Sequence, residues 1–391
     1  MPISLLLLCT LLTASLTWGW TEAVNSPIPI GLSVAETSSA ALLGQEQVIG
    51  AQIAETFFNA QGGINGTPFK LILEDTGGDE AGAIHAFGLQ LEQNRVVALI
   101  GPTLSQQAFA ANPFANAAGL LVLGPSTTAR GIPQIGDFIA RVSAPVNVVA
   151  PYALRAALEQ NPRIRRVAFF YAVNDAFASS ETEVFQSAAL AQKLERVSVQ
   201  KFRTVDSDFS LPVKAALEQS PDLAIVSGLA LDGGNLIHQL RRAGFRGSII
   251  GGNGLNTTNL FPVCREDCNG VLIAQAYSPF EQSPIQNAFR GRYKAVYRKE
   301  PPQFSAQAFA AVQVIVEALR KVDAQKKLSL WALEDLRSAL NRQVLAGRYD
   351  TPLGLLSFTP EGEVVQKKFY VAQIRMNPDG KTGKFEILGK G

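Results

Sequence analysis

A chain of 391 residues, 47% apolar and 17% charged, is too long for one ordinary domain and too apolar for a disordered one. Its 35 Lys and Arg stand against 33 Asp and Glu, for a net charge of +2, which excludes a basic stripe for nucleic acid and an acidic tail. The first 26 residues read as an export segment. Ile3 to Leu16 is almost wholly apolar and gives way to polar, turn-rich sequence around Thr21 to Pro29. The run is too short for a comfortable membrane span. No Lys or Arg precedes it and no clean cleavage site follows, so an uncleaved anchor stays open. Cys9 raises lipid anchoring as a further alternative, although Leu8 stands where a small residue belongs.

From Ile28 onward, strand and helix patterns alternate. Ile28 to Ala35 is a β run, and Gln45 to Asn59 has helical spacing. A glycine-rich turn at 62–68 leads to a strand from Phe69 to Leu73. A helix over Ala81 to Gln93 and a buried strand over Val96 to Ile100 follow. The next helix runs from Ser105 to Ala118, with Pro113 inside it, and Leu120 to Leu123 is again a strand. Such a βαβαβ series means a parallel sheet between helices.

Arg141 to Pro151, with two prolines and little charge, marks a boundary, after which the series restarts. Helices are expected over Val146 to Gln160, Ser179 to Leu194, Leu211 to Gln219 and Gly233 to Ala243. Strands are expected over Arg166 to Tyr171, Val197 to Phe202, Leu223 to Ser227 and Ser248 to Ile250. A third section opens with the strand Val271 to Ala276 and two long helices, Pro284 to Tyr297 and Ser305 to Val322. Leu355 to Met376, with Phe-Thr-Pro-Glu-Gly-Glu between β runs, reads as a hairpin.

Two loops carry the chemistry. Gly101-Pro-Thr-Leu-Ser and Gly124-Pro-Ser-Thr-Thr each follow an apolar strand, and Ser105 stands where an N-cap belongs. Loops at the carboxyl ends of neighbouring parallel strands are where open α/β sheets bind ligands. Small hydroxyls and free N–H groups at a helix start make a carboxylate cradle without Arg or Lys. Machinery for catalysis is missing: there is no dinucleotide fingerprint, no Walker A sequence and no nucleophile elbow. The two histidines, His85 and His238, lie in unrelated helical patterns. Cys264 and Cys268, four residues apart in an exported chain, read as a local disulfide; a metal site would need two further ligands.

The order of elements and several local sequences resemble the solute-binding proteins of ABC importers for branched-chain and other neutral amino acids. These have the type I periplasmic-binding-protein fold. The matching residues are Ile28-Pro-Ile-Gly-Leu-Ser-Val-Ala, Phe57-Phe-Asn-Ala-Gln-Gly-Gly-Ile-Asn-Gly and the Glu74-Asp-Thr-Gly-Gly-Asp turn. Val97-Ala-Leu-Ile-Gly-Pro, Gly124-Pro-Ser-Thr-Thr and Pro221-Asp-Leu-Ala-Ile-Val-Ser-Gly add to them, so that the match runs from about Ile28 to beyond Val371.

The resemblance implies two doubly wound parallel-sheet lobes joined by a three-stranded hinge. One lobe would comprise residues 27–145 and 276–350, the other 146–275 and 351–391. A small neutral amino acid would bind in the cleft and pass to an inner-membrane permease, with no cofactor and no catalysis; the low net charge fits a monomer. Ser105, Ser126 and Thr128 match the positions that grip the ligand carboxylate, and Thr103 and Leu43 match cleft-lining ones. Phe177 matches a stacking aromatic of the second lobe. Asn253 falls where amino-acid binders place a Glu for the ammonium. Gly228 and Leu229 at a strand end, with Asp175 or Asp232, are the groups left to compensate. That departure keeps a urea, short-amide or aromatic-acid ligand open as the alternative, as well as a ligand-sensing module.

Overall fold

The structure, a computed structural model, describes residues 26–390; the export segment and Cys9 lie outside them. The first lobe is built on β1 (Ile28–Val34), β2 (Phe69–Asp75), β3 (Leu99–Ile100), β4 (Val122–Gly124) and β5 (Ile139–Arg141). They form one parallel sheet in the order β2-β1-β3-β4-β5. The helices α1 (Ala41–Asn59), α2 (Glu80–Glu92) and α3 (Ser105–Ala117) connect them. Strands buried on both faces need near-continuous apolar sequence. Ile30, Leu32, Leu99, Ile100, Val122 and Leu123 supply it, each at most 1% exposed.

The second lobe repeats the plan with α4 (Val146–Gln160), β6 (Arg166–Ala172), α5 (Ala176–Ala191), β7 (Glu195–Phe202), α6 (Ser210–Leu217) and β8 (Leu223–Ser227). It continues through α7 (Ala230–Arg242), β9 (Ser248–Gly251), the short α8 (Phe261–Cys264) and β10 (Leu272–Gln275). Cys264 and Cys268 are joined by a disulfide. The chain then supplies α9 (Pro284–Tyr297), α10 (Gln303–Gln325) and α11 (Leu333–Leu345). Of these α10 is almost wholly buried, with Phe309 among the rings of Phe57, Phe58 and Phe289.

A small antiparallel sheet follows, made of β11 (Arg348–Thr351), β12 (Gly354–Phe358) and β13 (Val364–Val365). The last strands, β14 (Tyr370–Met376) and β15 (Gly383–Lys390), return to the second sheet, whose order is β15-β14-β10-β9-β8-β6-β7. The hairpin expected over Leu355 to Met376 thus closes only as far as Val365; its last run, β14, instead runs antiparallel to β10, and β15 to β14. A tight connection can join antiparallel neighbours, whereas a parallel pair needs a crossover.

The chain passes between the sheets three times: after β5, after β10 and ahead of β14. The turn of the β12–β13 hairpin lies against the first sheet, where the Arg141 N–H donates to the Gly362 carbonyl. Among the described residues no helix is long and apolar enough to cross a membrane.

Candidate functional site

The carboxyl ends of β1, β3 and β4 open toward the second lobe. After β3 the chain turns sharply at Gly101, where any Cβ would overlap the Ser33 carbonyl oxygen. The turn delivers Thr103 to the cleft and starts α3. Ser105 is not the N-cap expected from sequence. Leu104 holds that place, its N–H donating to Gln107 Oε1 at 3.1 Å, and Ser105 is the first helical residue. Its Oγ turns instead to the neighbouring loop and accepts from the Ala129 N–H at 3.3 Å.

The two loops are bound to each other through Gln47 of α1. Thr103 Oγ1 accepts from the Ala35 N–H at 2.9 Å and donates to Gln47 Oε1 at 2.7 Å. Gln47 Nε2 donates to Ser126 Oγ at 2.6 Å, and Ser126 Oγ donates to the Thr103 carbonyl at 2.6 Å. The protons of Thr103 and Ser126 are therefore committed inside the protein. Thr128 differs: it is 2% exposed and its Oγ1 has no partner. Ser105 accepts a hydrogen bond and keeps its own proton free among the described residues. Arg141, 1% exposed, holds the second loop from behind by donating to the carbonyls of Thr127 and Ala129 at 2.9 and 2.7 Å.

These residues wall a small cavity of about 20 Å³ between the lobes. Leu43, Thr103, Ser105, Ser126 and Thr128 line it from one side, and Phe177, Leu229 and Asn253 from the other. A second cavity, about 10 Å³, adjoins it and shares Thr128 and Asn253. Two expected site residues are elsewhere. Gly228 is behind the wall, with its carbonyl packed where a side chain on Gly254 would go. Asp175 is also outside the wall, because its Oδ1 caps α5 by accepting from the Ala178 N–H at 2.7 Å. Asp232 is occupied in the same way by the Leu229 N–H at 2.8 Å.

Asn253 lines both cavities, but its Oδ1 already accepts from Gln303 Nε2 of α10 at 2.9 Å. The carboxylate nearest to it is Glu181, which the sequence reading missed. Glu181 Oε1 accepts from the Asn253 N–H at 2.9 Å, and the residue lines the second cavity. One signal was available: Glu181 lies four residues after Phe177 on α5, on the same helix face.

Burial pushes the Glu181 carboxyl up to about 7, against the pull of the Asn253 N–H and the Ser227 hydroxyl. Burial also raises Asp175 to about 6, Asp232 to about 8 and Glu46 to about 8. The site is thus a buried cleft with free hydroxyl donors on one wall and a buried carboxyl on the other. Among the described residues no cluster of three or more His, Cys, Asp and Glu could hold a metal ion.

Contacts across the cleft bring the lobes together. Leu229 packs with Leu43, Leu104 and Phe304. Thr257 Oγ1 donates to Glu46 Oε1 at 2.7 Å, Asn259 Nδ2 donates to the Leu42 carbonyl at 2.7 Å, and Arg130 pairs with Glu183.

The family described as periplasmic binding protein matches residues 27–383. The Leu/Ile/Val-binding protein homolog 3 of Brucella melitensis is 24% identical over 361 residues, which cover 90% of this chain and 93% of that one. Among solved structures, the branched-chain amino acid transporter substrate binding protein LivJ from Streptococcus pneumoniae, in complex with isoleucine, superposes with a TM-score of 0.81. It is 23% identical and covers 93% of this chain and 100% of that one. A solute binding protein of an ABC transporter from R. palustris, in complex with benzoate, superposes with a TM-score of 0.80 at 18% identity, covering 93% and 96%.

Proposed function

Since the chain belongs to the periplasmic binding protein family, we propose that it captures a small neutral amino acid in its cleft and delivers it to the permease of an ABC importer. In this reading residues 1–26 direct export to the periplasm. Residues 27–145 with 276–350 form one lobe, and 146–275 with 351–391 form the other. The protein acts as a monomer and performs no chemistry on its ligand. The observation that carries the reading is the pair of free hydroxyls at the ends of two neighbouring parallel strands. Thr128 Oγ1 is buried without a partner, and Ser105 stands in the first turn of α3 with its proton uncommitted.

A ligand carboxylate placed there gains both hydroxyl donors and the positive end of the α3 dipole, a favourable exchange for a buried site. Phe177, Leu229 and Leu43 supply an apolar surround suited to an aliphatic side chain. Ligand contacts made with both lobes favour the closed arrangement, which a permease can distinguish from an open one.

The second reading keeps the carboxylate and drops the amine, giving an aromatic acid. It is favoured by Asn253, which offers no charge, and by the benzoate held by the R. palustris protein. A thermal-shift screen of the mature chain against neutral amino acids, short amides and aromatic acids separates the two. Ligand at one hundred times its dissociation constant adds about 2.7 kcal/mol. Stabilisation by neutral amino acids is the expected result; stabilisation confined to nitrogen-free acids would transfer the function to the second reading.

A further inference from the structure

We propose that Glu181 is the residue that makes this site select a cationic nitrogen, its free carboxylate oxygen accepting from the ligand ammonium. The inference rests on the amino-acid reading above and names the group on which that reading's substrate class depends.

Glu181 is 2% exposed, and its two oxygens are unequally used. Oε1 accepts from the Asn253 N–H at 2.9 Å, while Oε2 has no hydrogen-bond partner. The Ser227 hydroxyl lies close enough to lower the pKa of the carboxyl, but no hydrogen bond of ordinary geometry joins them. Helix α5 holds the carboxylate against Gly252, where a Cβ would overlap Oε2; only glycine at 252 lets it reach this wall. Glu181 and Thr128 line the same cavity, and none of the side chains around it is Lys, Arg or His.

An ionised carboxylate in such a place is costly unless a cation joins it. A protonated one leaves an acceptor idle. Either way, Glu181 with a free acidic oxygen and Thr128 with a free hydroxyl donor line one cavity. An α-amino acid carries the matching pair, an ammonium and a carboxylate on adjacent carbons.

The rival acids are excluded by position. Asp175 and Asp232, each with one oxygen accepting from a helix N-terminal N–H, line neither cavity, and Asn253 Oδ1 is taken by Gln303. A ligand without nitrogen would bring a second negative charge toward Glu181 and leave it unpaired, so the residue selects as well as binds. The raised pKa of Glu181 agrees with this, since the group gains most when a cation replaces its proton.

The test is calorimetric titration of the wild type and Glu181→Gln with L-leucine and with 4-methylpentanoate, the same skeleton lacking the amino group. Gln keeps the volume and the acceptor for Asn253 but not the charge. The substitution is expected to weaken L-leucine binding by about 100-fold and to leave 4-methylpentanoate no weaker. Unchanged L-leucine binding in the variant overturns the assignment while the amino-acid reading stands. Equal weakening of both ligands overturns it too, as a merely structural effect.

A wild type that binds 4-methylpentanoate and not L-leucine defeats the amino-acid reading itself and this inference with it. If the variant does not fold, the wild type supplies the answer. Between about pH 5.5 and about pH 8 its affinity for L-leucine should rise while that for 4-methylpentanoate falls, as Glu181 ionises. Asp175 is the one titratable neighbour whose charge raises Glu181, and it titrates in the same direction. Affinities for both ligands that move together with pH overturn the assignment.

Discussion

At the scale of single residues, the site was legible where one local signal carried it. Hydroxyls after Gly-Pro at strand ends pointed to the loops of Thr103, Ser105, Ser126 and Thr128, and the family resemblance pointed to Phe177; all five line the cleft cavity. Illegible were the residues whose roles depend on partners far along the chain. Gln47 clamps Thr103 and Ser126 from 56 and 79 positions away, and Gln303 occupies Asn253 from 50. No spacing rule reaches that far. The division between hydroxyls that frame the site and hydroxyls that stay free for a ligand likewise needed coordinates.

Glu46 gives a residue-scale prediction. It is buried, with Oε1 accepting from Thr257 and Oε2 unpartnered, and burial raises it from 4.5 to about 8. The folded protein therefore keeps a proton that the unfolded chain has already released between about pH 5 and about pH 8. Stability from this group is full below its unfolded pKa and is lost as the pH climbs through the folded one. Thermal melting should give a lower Tm at pH 8.5 than at pH 5.5, with the gap reduced in Glu46→Gln. A gap unchanged by the substitution would show that Glu46 is not the group responsible.

At the scale of elements, alternating patterns announced most of the strands and helices, and Val146–Gln160, Leu223–Ser227 and Pro284–Tyr297 have the bounds expected from sequence. Five elements escaped: β5, the short α8, α11, β11 and β15. The reason is clearest for β5, which has three residues, stands among prolines and glycines, and ends in an arginine that any pattern places on the surface. Its Arg141 is instead buried and joins two elements. It donates to the carbonyls of Thr127 and Ala129 and pairs with Glu363 of the β12–β13 turn through Nε at 2.8 Å and Nη2 at 2.5 Å.

Removing one partner of a buried pair leaves an uncompensated charge. Glu363→Ala should therefore lower stability by about 3 kcal/mol in urea denaturation. It should also weaken ligand binding through the loosened 127–129 loop. A loss under about 0.5 kcal/mol, the range of ordinary surface substitutions, would mean that Arg141 is satisfied by the loop alone.

At the scale of the whole molecule, two similar α/β lobes face each other across a cleft and are crossed three times by the chain. The two-lobe plan was legible because each lobe has its own alternating series and core, and cores of this size impose their pattern on long stretches of sequence. The contacts that hold the lobes face to face were not legible, since Leu229 with Leu43 and Thr257 with Glu46 join residues some two hundred positions apart. They matter because a ligand gripped from both sides must bring these groups together as it binds.

The central claim is that the free hydroxyls of Ser105 and Thr128 hold a ligand carboxylate inside that closed cleft. The direct test is calorimetric titration of the neutral amino acid giving the largest thermal shift into the wild type and into a Ser105→Ala, Thr128→Ala double variant. One hydrogen bond to a charged group is worth about 1.5–3 kcal/mol, so losing both should weaken binding by at least about 100-fold with folding intact. Binding by the double variant within about threefold of the wild type, less than the loss of even one such bond, would contradict the account.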